Sequence, residues 1–159
     1  MAEKKTNTFD IRKIYLKDAS VESPNAPDIF LSEIGNPEIG IDATIRANTL
    51  EQEGYYEVVL GMTVTSKTDD KTAFLVEIQQ AGVFHIVGVP EDDLPLALEI
   101  ACPNVLLPFA REAISDLVGK AGFPQLLLSP INFEGLYHQK RQKLAEAQQE
   151  KDNSDEETH

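Results

Sequence analysis

The chain has 159 residues, 42% of them hydrophobic, which is enough for one domain with a real core. Its formal net charge of -13 disfavours nucleic acid and anionic membranes, because few Lys and Arg are available to neutralise phosphates. A cationic polypeptide is the partner such a chain would attract.

The single cysteine, Cys102, excludes an internal disulfide scaffold. The opening MAEKKTNTF lacks the apolar region of a signal peptide, and no uninterrupted apolar run reaches the roughly 18 residues of a membrane span. A reducing cytoplasm is the expected location, with no direct membrane insertion.

Residues 1–8 are polar and expected to be flexible. FDIRKIYLKDASV alternates as a strand. Phe9, Ile11, Lys13, Tyr15 and Lys17 fall on one side, and Asp10, Arg12, Ile14, Leu16 and Asp18 on the other, so both faces read as half-polar. ESPNAPD is a turn cluster. It leads into an apolar loop carrying Ile29, Phe30, Leu31 and Ile34 among Gly35, Pro37 and Gly40. IDATIRANTLEQ and YYEVVLGMTVTSKT are β-branched strands joined at EQEGY, and DDK turns the chain into a fourth strand over about residues 72–88. There Phe74, Val76, Ile78 and Phe84 suit a core, while Leu75, Glu77, Gln79 and Val83 face outward. Strands in succession with short polar turns predict an antiparallel sheet.

After GVPEDDLPLALEIACPN the period becomes helical. Leu106, Phe109, Ala110, Ala113, Ile114 and Leu117 recur at three and four, Pro108 falls in the first turn, and Gly119 ends the helix. Val105 and Leu107 widen the apolar surface, so this helix needs a second packing partner, as in an oligomer. AGFPQLLLSPI is an extended linker. Asn132 caps a second helix striped by Phe133, Leu136, Tyr137 and Leu144. Residues 149–159 are acidic, without hydrophobes, and expected to be disordered. The fold class is α+β, a four-stranded antiparallel sheet followed by two helices, in a single domain over 9–148.

Chemistry is sparse. His85, His138 and His159 have no metal-ligand spacing, PEDD lacks the pattern of a calcium loop, and no glycine loop cradles phosphate. Cys102 is placed in a turn before a helix, where a thiol pKa can fall, but no base lies near it in sequence. Binding is better supported: a Pro/Gly loop rich in Ile and Phe beside an amphipathic helix suits extended apolar peptide.

APDIFLSEI, YYEVVLGMTVT, TAFLVEIQQAGVFHIVG and CPNVLLPFAREAISDLVGKAGFPQLLLSPINFEGLY resemble the SecB family of protein-export chaperones, over about residues 9–140. The resemblance implies a homotetramer, a dimer of dimers with the first helices between two eight-stranded sheets. It implies no enzymatic activity and no cofactor. Unfolded precursor polypeptides would be held and handed to the SecA motor ATPase, whose basic, zinc-binding C-terminal segment would dock on Asp18, Glu22, Leu75 and Glu77. The client groove would be lined by Phe30, Ile34, Ile39, Ile41, Leu136 and Tyr137, with Ile34 and Tyr137 where the family favours Trp and Phe. Val76, Ile78 and Gln80 would serve oligomer contacts, together with the helix residues Leu106, Phe109, Ala113, Ile114 and Leu117. Two other readings are an export-independent holdase of the same fold, such as a toxin–antitoxin partner, and a small-molecule binder using the groove.

Overall fold

The structure, a computed structural model, describes residues 7–33 and 35–156. Four strands, β1 (Thr8–Glu22), β2 (Glu38–Thr49), β3 (Tyr55–Thr68) and β4 (Lys71–Val87), form one antiparallel sheet in the order β1-β4-β3-β2. The β3–β4 turn is made by Asp69 and Asp70, both with positive φ, as the tightest hairpins require. The loop after β1 is tied to the start of β4: Ser23 Oγ donates to the Ala73 carbonyl at 2.9 Å and Asn25 Nδ2 to the Thr72 carbonyl at 2.8 Å.

Register sorts the residues onto two faces. Leu60, Met62 and Val64 of β3 lie opposite Gln80, Ile78 and Val76 of β4, and all six are buried on the face that carries the long helix. The outward set expected on β4 is borne out, since Leu75, Glu77, Gln79 and Val83 lie opposite Thr65, Thr63, Gly61 and Glu57 on the other face.

β1 corrects the simple alternation. Its register slips between Ile11 and Lys13 and again between Leu16 and Asp18, leaving Arg12 and Lys17 as single extra residues. Each slip reverses the face of every later residue. Phe9, Ile11, Ile14, Leu16, Ala19 and Val21 therefore all share the helix side, opposite Ile86, Phe84, Gly82, Gln80, Ile78 and Val76. Asp10, Lys13, Tyr15, Asp18, Ser20 and Glu22 share the outer side. The strand has one apolar and one polar face, not two mixed ones.

The helical region begins earlier than the period suggests. α1 (Leu94–Leu96) runs through a π turn at Ala97–Ala101 into α2 (Cys102–Lys120). Pro108 thus lies inside the helix and not in its first turn, and Cys102 lies within the continuous helix and not in a turn before it. The wide turn joins the Cys102 N–H to the Ala97 carbonyl five residues back, just before Pro103, whose ring would crowd an ordinary α turn. By length and composition Leu94–Lys120, 27 residues, would suffice to cross a bilayer, which no unbroken apolar run revealed. Here its stripe Cys102, Leu106, Ala110, Ile114 and Val118 is buried in the protein core, α2 lying on β4 and β3. Gly82 permits the approach: a Cβ there would lie 2.8 Å from the Phe84 ring and 3.1 Å from Leu106 Cδ2.

The helix ends at Lys120, and the glycine that closes it is Gly122 and not Gly119. Gly122 takes φ +93°. Its N–H reaches the Gly119 carbonyl at 3.1 Å, and the Phe123 N–H reaches Val118 at 3.2 Å, a Schellman closure that needs the left-handed residue at 122.

Beyond Ser129 the described residues, 130–156, belong to a second compact unit. Asn132 caps α3 (Phe133–Glu156) as expected, its Oδ1 accepting from the Gly135 N–H at 3.0 Å. The helix continues to Glu156, so residues 149–156 are helical where composition predicts disorder. The preceding turns are rich in Ala, Glu, Gln and Lys, which are strong helix formers, and the weaker Asp152–Asp155 stretch extends a helix already nucleated there without needing an apolar face.

Candidate functional site

Two surfaces of the first unit collect the binding candidates. The first is the outer face of the sheet at one end of β1 and β4. Glu22 lies directly opposite Leu75, Ser20 opposite Glu77, and Asp18 opposite Gln79. Residues opposed in this way have Cβ atoms about 5 Å apart. Asp18, Glu22, Leu75 and Glu77 thus share one face of the sheet: Glu22 and Glu77 flank a partly exposed leucine, and Asp18 lies farther along, diagonal to Glu77. Nothing in sequence spacing joins residues 18–22 to 75–77; the β1–β4 pairing does.

Next to this patch sits a half-buried carboxylate, Glu57 on β3. It accepts from the Tyr15 hydroxyl, from Lys17 Nζ at 2.9 and 3.0 Å, and from Asn48 Nδ2 at 3.5 Å. The Tyr15 hydrogen bond, and then Lys17, hold the Glu57 carboxyl below the usual range against a burial effect that opposes them. Farther along the same face Tyr55 stacks on His85 with centroids 4.3 Å apart, and Arg12 lies 5.7 Å from the Tyr55 ring.

The second surface is a cavity of about 380 Å3, lined by Ile29, Pro37, Ile39, Phe74, Phe123 and Leu126 among others. Phe123 is its pivot: its ring centroid is 5.2 Å from Phe74 and 5.1 Å from Phe30. Ile39 and Ile41 lie on the helix side of the edge strand β2, opposite Ser66 and Val64, and both are exposed. Leu127, on the linker beyond Leu126, is 90% exposed. A chamber with almost wholly apolar walls, open at an unpaired strand edge, can bury apolar side chains of an extended segment.

Of the residues expected at the groove, Phe30, Ile39 and Ile41 are in or beside this chamber. Ile34 lies outside the described residues. Leu136 and Tyr137 are on α3, in the second unit, where Arg141 lies 5.3 Å from the Tyr137 ring and His138 5.6 Å. Phe74, Phe123, Ile29 and Leu126 were missed as wall residues. The available signal was GFPQLLL, an apolar stretch too proline-bound to be a helix and too hydrophobic for a plain linker.

The expected oligomer residues divide. Val76, Ile78, Gln80, Leu106 and Ile114 are buried within the single chain, so they build its own core and any effect on assembly passes through that core. Phe109, 46% exposed, lies off the buried stripe of α2, and Ala113 and Leu117 are partly exposed. Cys102 is buried, which pushes its thiol up to about 12 and makes it a packing group. No group of three or more His, Cys, Asp or Glu able to hold a metal occurs among the described residues.

A family model described as preprotein translocase subunit SecB matches residues 2–144. The chain is 49% identical over 146 residues to the protein-export protein SecB of Methylobacillus flagellatus, covering 92% of each chain. It is 53% identical over 140 residues to that of Nitrosospira multiformis, covering 88% of this chain and 87% of the relative. Among solved structures, a SecB-like chaperone of Mycobacterium tuberculosis, determined with a ChAD peptide from an antitoxin, shares the fold with a TM-score of 0.65 at 16% identity, over 78% of this chain and 91% of that one.

Proposed function

Because this chain belongs to the SecB family, we propose that it is a protein-export chaperone that holds unfolded precursors in its apolar chamber and delivers them to SecA through its acidic outer face. Two separate surfaces suit the two tasks. An apolar client segment entering beside Ile39, Phe74 and Phe123 gains roughly 25 cal/mol per Å2 buried. Any single site is weak after ordering costs, and repetition of the site in a homotetramer makes a long unfolded chain bind tightly. Leu136 and Tyr137 are client contacts on the family resemblance. The task needs no enzymatic step and no cofactor, and its place is the cytoplasm, before translocation.

The observation that carries delivery is the register that brings Asp18, Glu22 and Glu77 onto one face with Leu75. Such a patch suits a small basic partner, the zinc-binding C-terminal segment of SecA, with the zinc belonging to the partner. Glu77→Lys should weaken binding of that segment at least tenfold in calorimetry, since it replaces an attraction by a repulsion at the patch centre. Binding of an unfolded client by the same variant should change less than twofold. Equal loss of both affinities would show that the two tasks share one surface.

A further inference from the structure

The acidic patch exists only because β1 slips by one residue at Lys17. Before the slip Tyr15 and Ala81 share the outer face, and Leu16 and Gln80 the helix side. Uninterrupted alternation would continue with Lys17 outward and would send Asp18, Ser20 and Glu22 to the helix side, against the core. With Lys17 inserted as an extra residue, Asp18, Ser20 and Glu22 come to lie opposite Gln79, Glu77 and Leu75, all outward.

A bulge interrupts ladder hydrogen bonds, so it persists where side chains replace them. This one is held from both faces. On the outer side Glu57 accepts from Tyr15 and from Lys17, the residues on either side of Leu16. On the helix side Gln80, only 4% exposed, donates from Nε2 to the Tyr15 carbonyl at 3.1 Å. Glu57 lies on β3 and Gln80 on β4, so two strands clamp the irregularity of a third.

We propose that Glu57 and Gln80 are positioning residues for the docking patch: they fix the Lys17 bulge and thereby the face on which Asp18 and Glu22 are presented. This rests on the reading of Asp18, Glu22 and Glu77 as the docking surface. Glu57 makes no contact with the partner in this scheme. Its carboxylate acts through Lys17 and Tyr15, and Asn48 on β2 supplies the remaining hydrogen bond to it.

The test titrates the full chain with the zinc-loaded basic C-terminal segment of SecA and, separately, with an unfolded client. Glu77→Lys serves as the direct-contact control. Glu57→Ala and Lys17→Met should each weaken segment binding about fivefold to tenfold and leave client binding unchanged. The charge-swapped pair Lys17→Glu with Glu57→Lys should recover part of the loss by restoring the ion pair but not the Tyr15 hydrogen bond, and client binding, which a general loss of stability would lower as well, should hold in every variant. Amide hydrogen exchange should speed up over 16–22 and not in β3. If Glu57→Ala does not fold, Lys17→Met carries the test, since it removes only an ammonium at a largely exposed position. Loss in Glu77→Lys with full binding in Lys17→Met and Glu57→Ala overturns the positioning role and leaves the docking surface intact. Full binding in Glu77→Lys overturns the docking surface, and the positioning role with it.

Discussion

At Tyr15 a phenol meets a carboxylate in a half-buried site. Burial first, and then the hydrogen bond and charge of Glu57, push its pKa up to about 12 from 10.0. A raised pKa means that the folded state prefers the protonated phenol. The resulting stabilisation is complete below about pH 10 and is lost as pH rises through about 12. Alkaline titration followed at 295 nm should therefore show a tyrosine ionising near pH 12, and Tyr15→Phe should remove that late step. If the late step survives in Tyr15→Phe, the shift belongs elsewhere. Cys102 gives a second expectation at this scale. With its thiol buried and pushed up to about 12, it should ignore a thiol reagent at pH 8 in the native protein and react fully in denaturant. Reaction in the native state would mean that the helix opens at that point. Placing Cys102 before a helix suggests a lowered pKa; the eight helical residues that precede it, Leu94–Ala101, remove the free N-terminus on which that effect depends.

Elements differ in how openly their sequences declare them. From Tyr55 to Ser66 on β3 and from Phe74 to His85 on β4 the rule of two runs without a break, so their core face, from Phe74 to Phe84, is readable from spacing alone. β1 is not, because its apolar residues Phe9, Ile11, Ile14, Leu16, Ala19 and Val21 are spaced two, three, two, three and two, which strict alternation splits between two faces; Arg12 and Lys17 resemble any other strand cation. The acidic patch is hidden for the same reason, since alternation groups Asp18 with Ile14 and Leu16. Helix ends mislead in a related way. Pro95, Pro103 and Pro108 signal breaks, yet the segment from Leu94 to Lys120 stays helical because its buried stripe outweighs the lost hydrogen bonds. The chamber walls come from three stretches far apart in sequence, joined only by tertiary packing. A close contact between elements lies at Gly82, where α2 meets β4. Gly82→Val should cost about 1–3 kcal/mol in urea unfolding, because neither Phe84 nor Leu106 has room to retreat. A loss below about 0.5 kcal/mol would mean that α2 can ride up on the sheet at little cost.

The whole molecule leaves apolar surface uncovered in a patterned way. The bulge at Arg12 gathers Phe9, Ile11 and Leu16 on the helix side of an edge strand, and each of them stays exposed in the single chain. Phe109 of α2 is exposed as well. Such a row on a chain of this size is more than scattered surface apolarity, and the unpaired edge of β1 beside it invites another strand. The dimer of dimers proposed from the family resemblance would cover both features, with edges pairing first and helices packing second. A 17.6 kDa chain should then sediment at about four times its own mass, and salt should not dissociate it, because the covered surface is apolar. Leu16→Asp places a charge in the strand row and should stop assembly at the monomer, whereas Phe109→Asp should stop it at the dimer. The order of these products distinguishes the two contacts. If Leu16→Asp left the mass unchanged, the β1 edge would be free in the assembly, and the exposed row would have to be explained by client binding instead.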